Sequence, residues 1–80
     1  MAPEEIRRLW KRSPFKPFVL VLTNGEKHPV YHPELLWVTR EVIGVGTARP
    51  GDPDGLAERI IWISPDHVMK IEPLELSKAS

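Results

Sequence analysis

The chain has 80 residues, with 11 Lys and Arg, 11 Asp and Glu, and no cysteine. This length fits one domain with a modest core and excludes a second domain, while the missing cysteines exclude disulfides and thiolate-bound zinc as supports for it. The formal net charge is +0, so the chain lacks the strong positive charge that by itself would indicate nucleic-acid or membrane binding.

A short helix is predicted at the N-terminus. Pro3 suits the first helical position, and the two glutamates after it complement the positive end of the helix dipole. Three apolar residues have the spacing of one buried stripe: Ile6, Leu9 and Trp10. The helix should end near Ser13, because Pro14 disfavours helical geometry at the residue before it.

The rest of the chain is predicted to be mainly β-strand. The apolar and β-branched segments lie at 18–23, 26–31, 35–39, 42–47, 58–63 and 67–72. Asn24-Gly25 supplies the positive φ angles of a tight hairpin turn. Pro29 belongs at a sheet edge or bulge, and Gly44 and Gly46 suit strong curvature or a close backbone approach.

Breaker residues separate these segments. His32-Pro33-Glu34 predicts a corner, 48–56 an exposed loop, and Ser64-Pro65-Asp66 a tight turn before the last strand. Pro73 ends that strand. The domain should therefore cover 1–73, and we expect 74–80 to be a partly disordered tail.

This order of elements predicts the fold class. A short helix followed by about five strongly bent antiparallel strands, with a single turn before the last, outlines a small SH3-like or Sm-like barrel. Closing the sheet into a barrel also limits the exposed edges that a small β protein must protect.

Two resemblances agree with this fold. The segment 14–25, with Pro-Phe-Lys-Pro-Phe and Asn-Gly, and the later His-Pro-Glu at 32–34 resemble a family of small uncharacterised bacterial proteins. Leu20, Leu22, Asn24 and Gly25 are similar to the first motif of Sm-like RNA-binding proteins. The return strand here has Pro29 where the Sm pattern has a bending glycine, and no Arg-Gly follows the later strand at 63–64.

The basic residues of the helix region form the candidate binding site for a partner or a nucleic acid: Arg7, Arg8, Lys11, Arg12 and Lys16. Such a face can bind a phosphate backbone or an acidic partner. The alternative is a solvated helix face with Glu4 and Arg8 at a salt-bridging spacing. Trp37 and Trp62 lie in strands and are predicted to be core residues, although an exposed tryptophan would serve as an interaction anchor.

No catalytic, cofactor or metal site is predicted. His28 and His32 would lie about 13 Å apart on a strand, too far for one ion, and we expect His28 to face solvent. His67 beside Asp66 has only Ser64 as a nearby hydroxyl, in a turn-capping position. The acidic stretch 52–55 lacks the later ligands of a calcium loop at 56 and 63.

These observations favour a noncatalytic protein-interaction or self-associating module. The alternative is a nucleic-acid-binding module that uses the basic helix. The longest apolar runs, at 18–22 and 60–63, are far shorter than the roughly 20 residues that cross a bilayer, so no membrane partner is expected. The N-terminus carries acids and no apolar signal core, and we expect a cytoplasmic protein.

Overall fold

The computed structural model describes residues 1–48 and 57–74. These residues form one helix and six strands: α1 Pro3–Trp10, β1 Phe18–Leu22, β2 Lys27–Val30, β3 Leu36–Val38, β4 Ile43–Ala48, β5 Ala57–Ile63 and β6 Val68–Pro73. Single 3-10 turns at Pro33–Leu35 and Pro65–His67 precede β3 and β6. The prediction of a mainly β chain with one short N-terminal helix is confirmed.

The strands form two antiparallel sheets of three strands each. The first sheet has the order β2-β1-β6, and the second sheet has the order β3-β4-β5. Among the described residues no hydrogen-bonded ladder joins the two sheets, so the closed barrel stays a prediction. The loop was predicted at 48–56, but Ala48 belongs to β4. Residues 49–56 of that loop and residues 75–80 of the predicted tail lie outside the described residues. Leu74 donates its N–H to the carbonyl oxygen of Pro17 at 3.2 Å.

The β1–β2 hairpin turns through three residues, not two. Leu22 donates its N–H to Glu26 O at 2.8 Å, and Gly25 donates its N–H to Leu22 O at 2.9 Å. Gly25 has a φ of 92°, and no described non-glycine residue has a positive φ. The prediction of positive φ angles at both Asn24 and Gly25 is therefore wrong, because a three-residue hairpin loop places only its last residue in the left-handed region.

Pro29 lies on an edge strand, as the sequence predicts. The Leu22–Glu26 pair closes the hairpin with a hydrogen bond, and pairs of an antiparallel ladder alternate between bonded and non-bonded. Val19–Pro29 is three pairs further along, so it is a non-hydrogen-bonded pair. The proline nitrogen therefore faces away from β1, and its missing N–H removes no bond from this ladder.

One hydrophobic core joins both sheets and the helix. Its buried members come from α1 and from the strands of both sheets: Ile6, Phe18, Leu20, Leu22, Val30, Leu36, Ile43, Val45, Ile63 and Val68. Alternate residues of β1 and β4 enter this core, as the period of two of a strand requires. Burying these side chains supplies most of the free energy that offsets the ordering of so short a chain.

The helix is attached to this core by its predicted stripe. Ile6 is fully buried, and Leu9 and Trp10 are half-buried against the cluster. The Trp10 Nε1–H donates to the carbonyl oxygen of Pro33 at 2.9 Å, which connects the end of α1 to the turn before β3. The helix ends at Trp10, three residues before the predicted Ser13.

Candidate interaction surface

Three residues are aligned across the second sheet. Trp37 lies opposite Gly44 in the β3–β4 pairing, and Gly44 lies opposite Trp62 in the β4–β5 pairing. Directly opposed residues of an antiparallel sheet point to the same face. Because the adjacent Ile43 and Ile63 are buried in the core, this row lies on the opposite side of the sheet. We call the face formed by positions 37, 44, 46, 60 and 62 the outer face.

The glycine at 44 makes room for a tryptophan ring. A Cβ atom at this position would lie 2.7 Å from Cζ3 and 3.2 Å from Cε3 of Trp62. The six-membered ring of Trp62 therefore lies against the backbone of Gly44, where no other residue type leaves enough space. The sequence predicted a close approach here, and the group that approaches is an aromatic ring.

The other end of the outer face is filled by a leucine. A Cβ atom at Gly46 would lie 3.0 Å from Ala57 Cβ and 3.3 Å from Leu35 Cδ2. Leu35 is 6% exposed although it lies outside the main core cluster. Leu35 covers the part of the outer face around Gly46, whereas the part around Trp62 stays open to solvent.

Both strand tryptophans are exposed, so the prediction that they belong to the core is wrong. The exposed fractions are 42% for Trp37, 63% for Trp62 and 44% for Ile60. The reason is strand alternation: the inner face of the second sheet is already filled by aliphatic residues such as Ile43 and Val45, which leaves the tryptophans on the outer face.

The outer face carries no positive charge in its strand positions. Residues 37, 44, 46, 60 and 62 are two tryptophans, two glycines and an isoleucine. Of these, Trp37, Ile60 and Trp62 are exposed, and exposed apolar side chains gathered on one face mark contact sites for other molecules. Tryptophan is also among the residues most enriched at the energetic centres of interfaces.

The five basic residues of the predicted site are all exposed, but they do not line one groove. Arg12 and Lys16 line a shallow groove whose apolar wall includes Leu9 and Ile71. Arg7 lines a different groove, together with Arg40.

Lys11 and Arg8 are the two remaining members of the basic group. The Lys11 ammonium lies 4.3 Å from the centre of the Trp10 ring, a cation–π contact that holds it against the helix. Arg8 is exposed, and in the part of the chain that is described it forms no ion pair with Glu4. The helix face at these two positions is exposed, as the alternative of a solvated face has it, although the salt-bridging spacing is not used.

The polar residues weighed for catalysis and metal binding have local structural partners. Ser64 Oγ accepts the Asp66 N–H at 3.3 Å, which is the capping position predicted for it. His28 Nε2 lies 3.1 Å from Glu26 Oε1, and its side chain is only 18% exposed, so the expectation that it faces solvent is wrong. The described residues contain no group of three or more potential metal ligands.

Sequence reasoning missed the outer face, although one signal for it was present. Gly44 and Gly46 alternate with Ile43 and Val45, so a strand at this position must have one aliphatic and one glycine-lined face. What the sequence does not give is the register that places Trp37 and Trp62 beside the glycines, because that register depends on pairings between separate strands.

No family model, curated protein or solved structure matches this chain. No helix in the described residues is long and apolar enough to cross a membrane.

Proposed function

We propose that this chain is a noncatalytic protein-interaction module whose contact surface is the outer face of the second sheet. The observation that carries the proposal is the pair of exposed tryptophans, Trp37 and Trp62, on either side of the buried Gly44, together with the exposed Ile60. A partner that covers these side chains removes their apolar surface from water, which is the main favourable term in protein association.

Pre-organisation also supports this function. Trp62 rests against Gly44, and a tryptophan has few rotatable bonds, so its ordering costs little when a partner binds. The two tryptophans are held on strands, not on loops, which fixes their separation by the spacing of the sheet. A rigid apolar surface of this kind suits recognition of a protein and supplies no nucleophile, base or oxyanion donor for catalysis.

We propose that the two sheets belong to an SH3-like or Sm-like barrel and that the protein is cytoplasmic. Both proposals agree with the resemblance to small bacterial proteins. The pairing of β6 with β1 and the 3-10 turn before β6 support this proposal. Such folds present their binding sites on sheet faces and strand edges as well as on loops.

The alternative is nucleic-acid binding through the basic helix region. Arg12 and Lys16 support it, since they line the same groove and could contact neighbouring phosphates. Against it stand the separation of Arg7 into another groove and the balanced charge of the chain. The outer face provides aromatic rings on which bases can stack, but no cation beside them in its strand positions.

A photo-crosslinking experiment tests the proposal. A benzophenone amino acid replaces Trp37, or, as a matched control, Lys70 on the outward side of the first sheet, and each variant is irradiated in extract of the natural host. We expect protein adducts from position 37 only, and we expect Trp62→Ser to abolish them because it removes the adjacent anchor. Equal labelling at 37 and 70, or labelling that survives Trp62→Ser, contradicts the proposal. Adducts with nucleic acid support the alternative.

A further inference from the structure

The four edge strands of the two sheets differ in how they are protected. Edge strands are templates for pairing with other chains, and native proteins protect them with proline, lysine, bulges or short length. β2 carries Lys27 and Pro29. β6 carries Lys70 and ends in Pro73. β3 has only three residues.

β5 is the least protected edge: its pairing with β4 shifts register only at its start, where Thr47 pairs with Arg59 and Ala48 pairs with Ala57. It has seven residues, Ala57–Ile63, which include no proline and no lysine, and no described strand pairs with its outer side. Its last four residues are Ile60, Ile61, Trp62 and Ile63. The regularly paired part of β5, residues 59–63, is mostly apolar and is therefore a site for strand addition.

The pairing pattern shows which backbone groups of β5 point outward. Thr39 donates its N–H to Val42 O at 3.0 Å, so this pair is hydrogen-bonded, and alternation along β4 directs Gly44 towards β3 and Val45 towards β5. Ile61, the partner of Val45, therefore directs its backbone groups towards β4.

The same alternation directs the N–H and C=O groups of Ile60 and Trp62 away from β4. The Thr47 Oγ1, which donates to Arg59 O at 3.4 Å, agrees with this pattern, because it places the carbonyl of Arg59 on the β4 side. Two residues of the free edge thus present both a donor and an acceptor to an added strand.

We infer that the occupant of this edge is a second copy of the chain, paired β5 to β5 in antiparallel orientation about a two-fold axis at Ile61. This inference goes beyond the proposed function: the contact is made by the edge of the second sheet and leaves the outer faces of both copies free for a further partner. The other edges of a second copy are blocked by proline, lysine or short length, so β5 is the edge that remains for it to offer. A contact between identical edges is closed and stops at two chains.

The register follows from side-chain complementarity. An axis at Arg59 places two arginines opposite each other. An axis at Ile60 places Trp62 opposite Glu58 of the other copy, where the register of β5 shifts, and both arrangements are unfavourable. An axis at Ile61 places Ile60 of each copy opposite Trp62 of the other. The backbone N–H and C=O groups of Ile60 and Trp62 are the ones directed away from β4, so they form the hydrogen bonds between the two copies. The two outer faces then join into one apolar surface across a six-stranded sheet.

A single introduced cysteine tests this register, because the chain contains none of its own. Opposed Cα atoms of a non-hydrogen-bonded pair are about 4.5 Å apart, inside the range that a disulfide spans. Ile61→Cys should therefore form a disulfide-linked dimer under mild oxidation. Ile60→Cys is the matched control: its two introduced cysteines, one from each copy, lie on a diagonal about 7–8 Å apart, at or beyond the limit of a disulfide.

Two further variants exclude random encounter. Both are made in the Ile61→Cys chain. Ile60→Pro removes the N–H that points away from β4 without removing a hydrogen bond to β4, so it should abolish cross-linking. Ile60→Thr keeps this N–H and should retain cross-linking. If circular dichroism shows that Ile60→Pro is unfolded, Ile60→Lys blocks the same edge with a charge, and cross-linking should again be lost.

The results separate this inference from the proposed function. Cross-linking at 61 that exceeds cross-linking at 60 and is lost in the edge-blocked variant supports the second copy. Equal rates at 60 and 61, no cross-link at 61, or a cross-link that survives the block overturns it. If position 61 gives no dimer but the benzophenone at 37 labels another protein, the module stands and its partner is a different chain. If both fail, the proposed function fails as well.

Discussion

At the scale of single residues, the contact between Gly44 and Trp62 determines the shape of the outer face. One surface of the Trp62 ring lies against the glycine backbone, yet 63% of the residue is exposed. This arrangement fixes the ring without burying it. A larger residue at 44 would force the Trp62 ring away from the sheet. Gly44 therefore sets the position of the Trp62 ring, although most of Trp62 stays exposed.

A double-mutant cycle tests this coupling. Gly44→Ala should destabilise the chain by about 1–3 kcal/mol when Trp62 is present, because the new methyl group overlaps the ring. In the Trp62→Ala background the same change should be neutral or stabilising, since alanine in a strand is favoured over glycine by about 0.5–1 kcal/mol. Urea unfolding at low protein concentration measures all four variants. Equal effects of Gly44→Ala in both backgrounds would show that the contact is not formed in solution.

The residue scale also shows where sequence reasoning succeeds. The positive φ of Gly25 and the edge position of Pro29 were predicted because each follows from the residue's own backbone chemistry. The exposure of Trp37 and Trp62 was mispredicted because it depends on which strand face the core needs. That choice belongs to the assembled sheets, and a large apolar residue is normally read as buried.

At the scale of elements, the helix forms part of the core instead of an independent binding arm. Eight residues are too few to form a stable helix alone. Ile6 is 0% exposed, and Trp10 is hydrogen-bonded to the turn before β3. The Met1 amino group donates to Pro65 O and Val68 O, each at 3.1 Å, which ties the start of the helix to β6.

Truncation of Ile6 tests this role. Ile6→Ala should lower the free energy of unfolding by about 2–5 kcal/mol, and Ile6→Val by about 0.5–1.5 kcal/mol, because both leave a cavity between the helix and the sheets. The larger loss is a substantial part of the stability of a domain of this size. Thermal or urea unfolding gives both values, with Arg8→Ala as an exposed control on the same helix. An effect of Ile6→Ala no greater than that of the control would mean that the helix is detached.

The helix and strands were predicted with small errors at their ends. Pro14 limited the helix to the first 13 residues, and the structure ends it at Trp10, where Lys11 donates its N–H to Arg7 O at 2.9 Å. Apolar runs and breakers located the strands, because those signals are local. The division of the strands into two sheets was not predicted, since bent strands and a sheet boundary have similar sequence patterns.

At the scale of the whole molecule, the two sheets have different roles. The first sheet covers its outward side with paired charges: Lys70 Nζ lies 3.1 Å and Lys27 Nζ 3.9 Å from carboxylate oxygens of Glu72. The second sheet exposes two tryptophans on its outward side and has β5, the least protected strand, at its edge. For this reason the proposed function assigns association to the second sheet.

The most direct test of the central inference, that copies of the chain pair through the β5 edge of the second sheet, is backbone hydrogen exchange measured at several protein concentrations. The Ile60 and Trp62 amides point away from β4, so they should exchange rapidly in dilute solution and become protected as copies pair. The Ile61 amide, directed towards β4, should stay protected throughout and serves as the internal reference. Exchange at Ile60 and Trp62 that remains fast at every concentration would contradict the account.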